Sequence, residues 1–109
     1  MRVFVTQNGK KRNSEGRLVE KFDFGPAKEH GEVKFLLHEQ TQTYIPKLFM
    51  EELRVAMEEF QPGDCLIPVG SPLLIGAVMI LAHEKTGGNF HVLQWSGRYQ
   101  KYSKFSLDI

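Results

Sequence analysis

With 109 residues, 41% of them hydrophobic, the chain can fill one core and not two. Fourteen Lys and Arg stand against thirteen Asp and Glu, and the resulting formal charge of +1 excludes a general electrostatic pull toward nucleic acid or an anionic membrane. The one cysteine, Cys65, has no partner for an internal disulfide and sits among apolar residues, so a reducing, cytoplasmic setting is expected.

Met1 to Thr6 meets polar Gln7-Asn8-Gly9 before the core of an export signal could form, so no signal is expected. Val3, Phe4 and Val5 predict a first strand, closed by the turn chemistry of Asn8 and Gly9. The next stretch, Lys10 to Arg17, is basic and broken by Gly16, and reads as a loop or hairpin tip. Leu18 to Phe24 alternates, with Leu18, Glu20, Phe22 and Phe24 opposing Val19, Lys21 and Asp23, and predicts a second strand that Gly25-Pro26 stops. Residues 1–31 are thus expected to form an N-terminal β-hairpin and loop.

Pro26 to Gly31 allows at most one helical turn before Glu32 to Leu37 alternates and then becomes fully apolar, as a strand entering a sheet does. A helix is predicted from Pro46, with Phe49, Leu53, Ala56, Met57 and Phe60 on one face and Glu51, Glu52, Glu58 and Glu59 facing water. Cys65 to Val69 is apolar on both faces, the pattern of an interior parallel strand, although Pro68 has no N–H for a ladder. Ser71 caps a second helix, Pro72 fills its first turn, and Gly87 ends it. That helix holds the longest apolar run, Leu73 to Ala82, well short of the roughly 20 residues a bilayer crossing needs, so it is expected to be buried and no membrane partner is predicted. Phe90 to Trp95 predicts a further strand, Ser96-Gly97-Arg98 a turn, and Tyr99 to Leu107 an antiparallel return.

The order predicts a single layered α/β domain over residues 1–109, a mixed sheet with parallel β-α-β units and antiparallel edge strands, in which residues 32–109 form a βαβαββ unit.

Gly70-Ser71 lies where a strand end meets a helix N-terminus, a place that suits the phosphate of a small molecule or nucleotide. The segment has neither dinucleotide-fold nor phosphate-loop spacing, and Pro72 removes a donor, so an ordinary cap is the preferred reading of Ser71. His30, His38, His83 and His91 have no metal-ligand spacing and no second cysteine stands near Cys65, so neither a metal nor another cofactor is predicted, and no residue is assigned a catalytic role. A Cys65–His91 pair on adjoining strands is conceivable, but a thiol among apolar residues is usually inert.

Lys10, Lys11, Arg12 and Arg17 are the candidate contacts to nucleic acid, weighed against a solvated hairpin tip, which is preferred. Trp95, Arg98, Tyr99, Lys101, Tyr102 and Lys104 interleave rings with cations like a single-strand platform, yet Tyr99 and Tyr102 fall on opposite faces of a strand, and an edge guarded by lysines explains them more simply. In the second helix Leu73, Leu74, Ala77, Val78 and Leu81 form one side, while the opposite stripe of Gly76, Met79, Ile80 and His83 is scarcely more polar. Such a helix should be covered on both sides, by the first helix and the N-terminal hairpin or by another chain, and Gly76 marks a point of close approach.

At Phe22 to Leu37, Asp64 to Gly76 and Leu93 to Tyr99 the chain resembles small proteins encoded by tailed phages, particularly phages of marine cyanobacteria. The resemblance implies a phage accessory protein acting in the host cytoplasm, and carries no catalytic residues with it. The expected function is therefore protein–protein interaction without catalysis, with a host or phage protein or a second copy of the chain as partner. The alternatives are a phosphorylated ligand at Gly70 and Ser71, or nucleic acid at the basic loop 10–17.

Overall fold

Strand β1 (Arg2–Gln7) takes an interior place in the sheet because Val3, Phe4 and Val5 are apolar on both sides of the pleat, and a strand built that way must be covered on both faces. In the computed structural model, which describes residues 1–20 and 22–109 with the backbone alone at Lys11, β1 is hydrogen-bonded in parallel to β4 (Glu32–Leu37) on one side and to β5 (Cys65–Ile67) on the other. Strand β6 (Asn89–Ser96) continues the parallel sheet from β5, and β7 (Lys101–Asp108) closes it as an antiparallel edge. The five-stranded order is β4-β1-β5-β6-β7, the mixed α/β sheet expected of the sequence.

Helices α1 (Pro46–Met57) and α2 (Pro72–Thr86) lie together on one face. Phe49, Leu53, Leu74 and Val78 meet Phe4, Leu66 and Phe90 of the sheet there in a dry core. The other face, with Val3, Val5, Cys65, Ile67, Leu93 and Tyr102, is covered by the 3-10 helix Gly25–His30 through Phe24 and Ala27. His30 Nε2 bonds the Tyr102 carbonyl oxygen at 2.9 Å, which pins that short helix to β7.

The N-terminal region departs from expectation. Its hairpin is a separate two-stranded unit, β2 (Lys10–Arg12) with β3 (Leu18–Glu20), and β1 takes no part in it. The polar, glycine-broken stretch therefore supplies strand as well as turn, because Asn13 Oδ1 accepts from the Glu15 and Arg17 N–H groups and folds the chain back. β3 stops at Glu20, short of the expected Phe24; Lys21 lies outside the described residues, and Phe24 already begins the 3-10 helix.

β5 is also shorter than its apolar run, ending at Ile67 because Pro68 has no N–H to pair. Thr6 replaces the missing ladder: its hydroxyl donates to the Val69 carbonyl oxygen and accepts the Val69 N–H at 3.0 Å. At the opposite end of the sheet, buried Asp64 receives the Arg2 N–H at 3.0 Å, the Arg2 guanidinium at 3.3 Å and the Gln61 N–H at 2.9 Å. That carboxylate ties the start of β1 to the loop between α1 and β5.

Candidate functional site

From β1 the chain turns to β4 on one side, and from β5 it turns to β6 on the other. The carboxyl ends of β1 and β5 are therefore a topological switch point, where open α/β sheets leave a crevice. A cleft of about 430 Å³ opens there, bounded by Gln7, Lys10, Glu39, Tyr44, Gly70 and Ser71. A second cleft of about 650 Å³ lies beside it, over the ends of β5 and β6, and the two share Phe22 and Val69.

The larger cleft exists because the 3-10 helix is only six residues long and covers one part of its sheet face. Ile67 and Leu93 are among its lining residues, together with Trp95 and Tyr102. These two rings are cross-strand partners in the β6–β7 register, with centroids 5.1 Å apart and planes at 64°, an edge-to-face corner. Trp95 is 43% exposed, while Tyr102 is 6% exposed and holds its proton more tightly than a free phenol, through burial first and the Asp23 carboxylate second. Asp23 is the one carboxylate among the described residues on the wall, and its Oδ1 accepts the Gly25 N–H at 2.9 Å.

At the switch point, Ser71 is a cap: Oγ accepts the Leu74 N–H at 3.3 Å and donates to the Thr43 carbonyl oxygen at 3.0 Å. Of the first three helical positions Pro72 has no N–H and Leu74 spends its own on Ser71, so Leu73 alone could offer one to an anion. Gly70 has φ +119°, and a Cβ there would meet Leu74 Cδ2 at 2.9 Å.

Helix α2 is not covered on every side, contrary to expectation. Leu74, Val78, Leu81 and Ala82 are buried, but Leu73 is 53% and Ile80 61% exposed, with Gly76 open between them. Neither α1 nor the N-terminal hairpin reaches this stripe, because α1 packs on the flank of α2 that carries Leu81. Met79 is half-buried against the core, and His83 bonds the Ile109 carbonyl oxygen at 3.0 Å, so of the four residues assigned to an interaction surface only Gly76 and Ile80 face outward. Phe105, also exposed, lies on the same side of the sheet as α2, since its β6 partner Val92 packs into the helix-side core.

The basic hairpin is partly engaged. Lys10 pairs with Glu20 and Glu39, each at 3.7 Å, and Arg12 donates to the Gly16 carbonyl oxygen at 2.7 Å; Arg17 is exposed, and the Lys11 side chain lies outside the described residues. Cys65 and His91 are register partners on adjacent strands, but Cys65 is wholly buried and desolvation raises its pKa, which keeps it a thiol, while His91 Nδ1 meets Ser106 Oγ at 3.0 Å.

Asp23, Val69 and the outward position of Leu73 escape a reading of the sequence. The Trp95–Tyr102 corner carries a signal: placing the turn at Gly97 to Gln100 rather than Ser96 to Arg98 puts the two rings opposite each other. Among the described residues no helix is long and apolar enough to cross a membrane, and no three His, Cys, Asp or Glu side chains gather as metal ligands.

Fold and clefts together define a small open-sheet α/β protein with crevices at the carboxyl ends of its parallel strands. The chain belongs to the family of Phage Pam3 gp32-like proteins, whose model matches residues 1–109, and this makes it a phage accessory protein, in line with the resemblance at Phe22 to Leu37, Asp64 to Gly76 and Leu93 to Tyr99. No curated protein and no solved structure matches it.

Proposed function

We propose that this phage protein acts in the host cytoplasm by binding another polypeptide, without a reaction of its own, and that the outer side of α2 is the surface it uses. The observation that carries the reading is the stripe Leu73, Gly76, Ile80, which stays open on a helix whose other sides are packed. Leaving two large aliphatic side chains half wet forgoes part of the roughly 1.5 to 3 kcal/mol that burying each would contribute.

A second copy of the chain suits this surface. Leu73 and Ile80 flank Gly76 almost evenly, so two α2 helices crossing about a two-fold axis at Gly76 would set Leu73 of each against Ile80 of the other. Apart from its chain neighbours and the surrounding turn of α2 itself, no heavy atom of the described residues lies within 4 Å of a Cβ built on Gly76, so no described neighbour requires glycine there, whereas close approach of a second backbone would. Phe105 extends the apolar area toward the β7 edge.

Size-exclusion chromatography with light scattering tests this. Wild type is expected to dimerise as concentration rises, with Ile80→Asp and Gly76→Leu remaining monomeric and folded. A wild type that stays monomeric up to its solubility limit overturns self-docking; capture of one host or phage protein, lost in Ile80→Asp, would then identify a heterologous partner for the same stripe.

A further inference from the structure

The cleft over β5 and β6 lies on the face of the sheet opposite α2 and plays no part in that docking. We propose that it is a binding site for a planar organic cation of the guanidinium class, with Asp23 as counter-charge and the Trp95–Tyr102 corner as its aromatic wall. Charge decides between ligand classes. Among the described residues that line it there is one carboxylate, Asp23, and no Lys, Arg or His, an arrangement that favours a cation over a phosphate or carboxylate.

Asp23 has capacity to spare. A carboxylate offers about four acceptor sites, and Asp23 uses one, on Oδ1, for the Gly25 N–H, with no ion pair among the described residues. The amide of Gln100 donates one of its two Nε2 hydrogens to the Gly97 carbonyl oxygen at 2.6 Å and, being neutral, does not rival the charge of Asp23. The remaining wall is aromatic and aliphatic. A cation over an indole gains from the ring quadrupole, and more so as water is excluded. A guanidinium suits the site better than a compact ammonium, because it is flat enough to stack on Trp95 while presenting paired N–H donors to a carboxylate, and it is the more weakly hydrated of the two. Ile67, Val69 and Leu93 supply the apolar ground on which the methylene stem of such a group would lie. A volume of about 650 Å³ is within the range of small-molecule sites.

Trp95 is the chain's one tryptophan, so its fluorescence reports the cleft directly. The intact protein is titrated with N-acetylarginine amide, with a short arginine-containing peptide, and with the matching glutamate compounds at constant ionic strength. Saturable changes in emission are expected from both arginine ligands and from neither glutamate one. A much tighter peptide assigns the cation to a polypeptide source, and equal affinities assign it to the free small molecule. Asp23→Asn keeps an acceptor for the Gly25 N–H but removes the charge, and is expected to weaken binding about tenfold with near-UV circular dichroism unchanged. No saturable response to either arginine ligand beyond that of salt alone overturns the proposal, as does unchanged affinity in Asp23→Asn.

Discussion

Replacing Thr6 by valine tests how this sheet continues past a proline. Thr6 is wholly buried, and its hydroxyl makes both hydrogen bonds that Val69 has toward β1. Valine keeps the shape and removes both. A buried polar group left without a partner costs about 1 to 3 kcal/mol; Val69 is half-buried at the cleft wall, where water reaches it, so the low end applies to each and the two total about 2 kcal/mol. Exchanging a buried hydroxyl for a methyl returns up to about 0.8 kcal/mol. The expected net loss of about 1 to 2 kcal/mol lowers the urea midpoint by about 1 M for a domain of this size. Equilibrium unfolding followed by circular dichroism measures the shift, and hydrogen exchange should show the Val69 amide losing protection while the centre of β1 keeps its own. A midpoint equal to or above that of wild type, with the slope unchanged, would refute the claim that the Thr6 hydroxyl substitutes for the ladder Pro68 interrupts.

Gly76→Ala is expected to raise monomer stability by about 0.5 to 1 kcal/mol, since the site is an exposed helix interior with no atom within 4 Å of the new Cβ, and thermal melting of dilute protein reads the gain directly. Gly31→Ala should do the reverse, by about 2 to 4 kcal/mol: its φ is +147° and a Cβ would lie 2.6 Å from the Met1 carbonyl oxygen, on backbone fixed by the pairing of Arg2 with Glu32, so denaturant unfolding should show a large loss. Tyr102 is expected to ionise above the ordinary tyrosine value, and Asp23→Asn should bring its titration in tyrosinate absorbance part of the way back toward that value. Because the folded state holds that proton more tightly than the unfolded one, its contribution to stability is complete below the unfolded value near 10 and is lost as pH rises through the folded one.

The parallel β5-α2-β6 unit was legible because its signals are local and agree: an apolar strand, Ser71 as cap, Pro72 in the first turn and Gly87 in the left-handed conformation at φ +72°. The place of β1 was not, because Val-Phe-Val is equally consistent with a hairpin arm and a central strand, and only the pairing with β4 and β5, about 30 and 60 residues away, decides between them. Helix α2 misled through composition. Its apolar residues run all round, which argues for full burial, yet a helix lying on a sheet beside one neighbour always keeps an outer side, and here Leu73 and Ile80 occupy it. The larger cleft was invisible for a different reason: Asp23, the Ile67–Val69 stretch and Trp95 come from three segments far apart in the chain, and they meet only because the 3-10 helix ends where it does.

The two proposed surfaces trace to how much helix each crossover carries. The crossover from β4 to β5 and that from β5 to β6 each contain a full helix, so the face they cover is closed and its surplus apolar residues appear outside, on α2. The crossover from β1 to β4 instead spends residues 8–31 on a polar hairpin and a single short 3-10 helix, because Asn8-Gly9, Gly16 and Gly25-Pro26 break any helical run. That face is covered where Phe24 and Ala27 sit and bare at the strand ends, where Ile67, Leu93, Trp95 and Tyr102 remain around a cleft. A helix in the β1–β4 crossover would bury those residues and abolish the cleft without touching the α2 stripe. The proposed cation site and the proposed docking surface therefore depend on different segments, and substitutions at Asp23 should leave self-association unchanged just as substitutions at Ile80 should leave the Trp95 response unchanged.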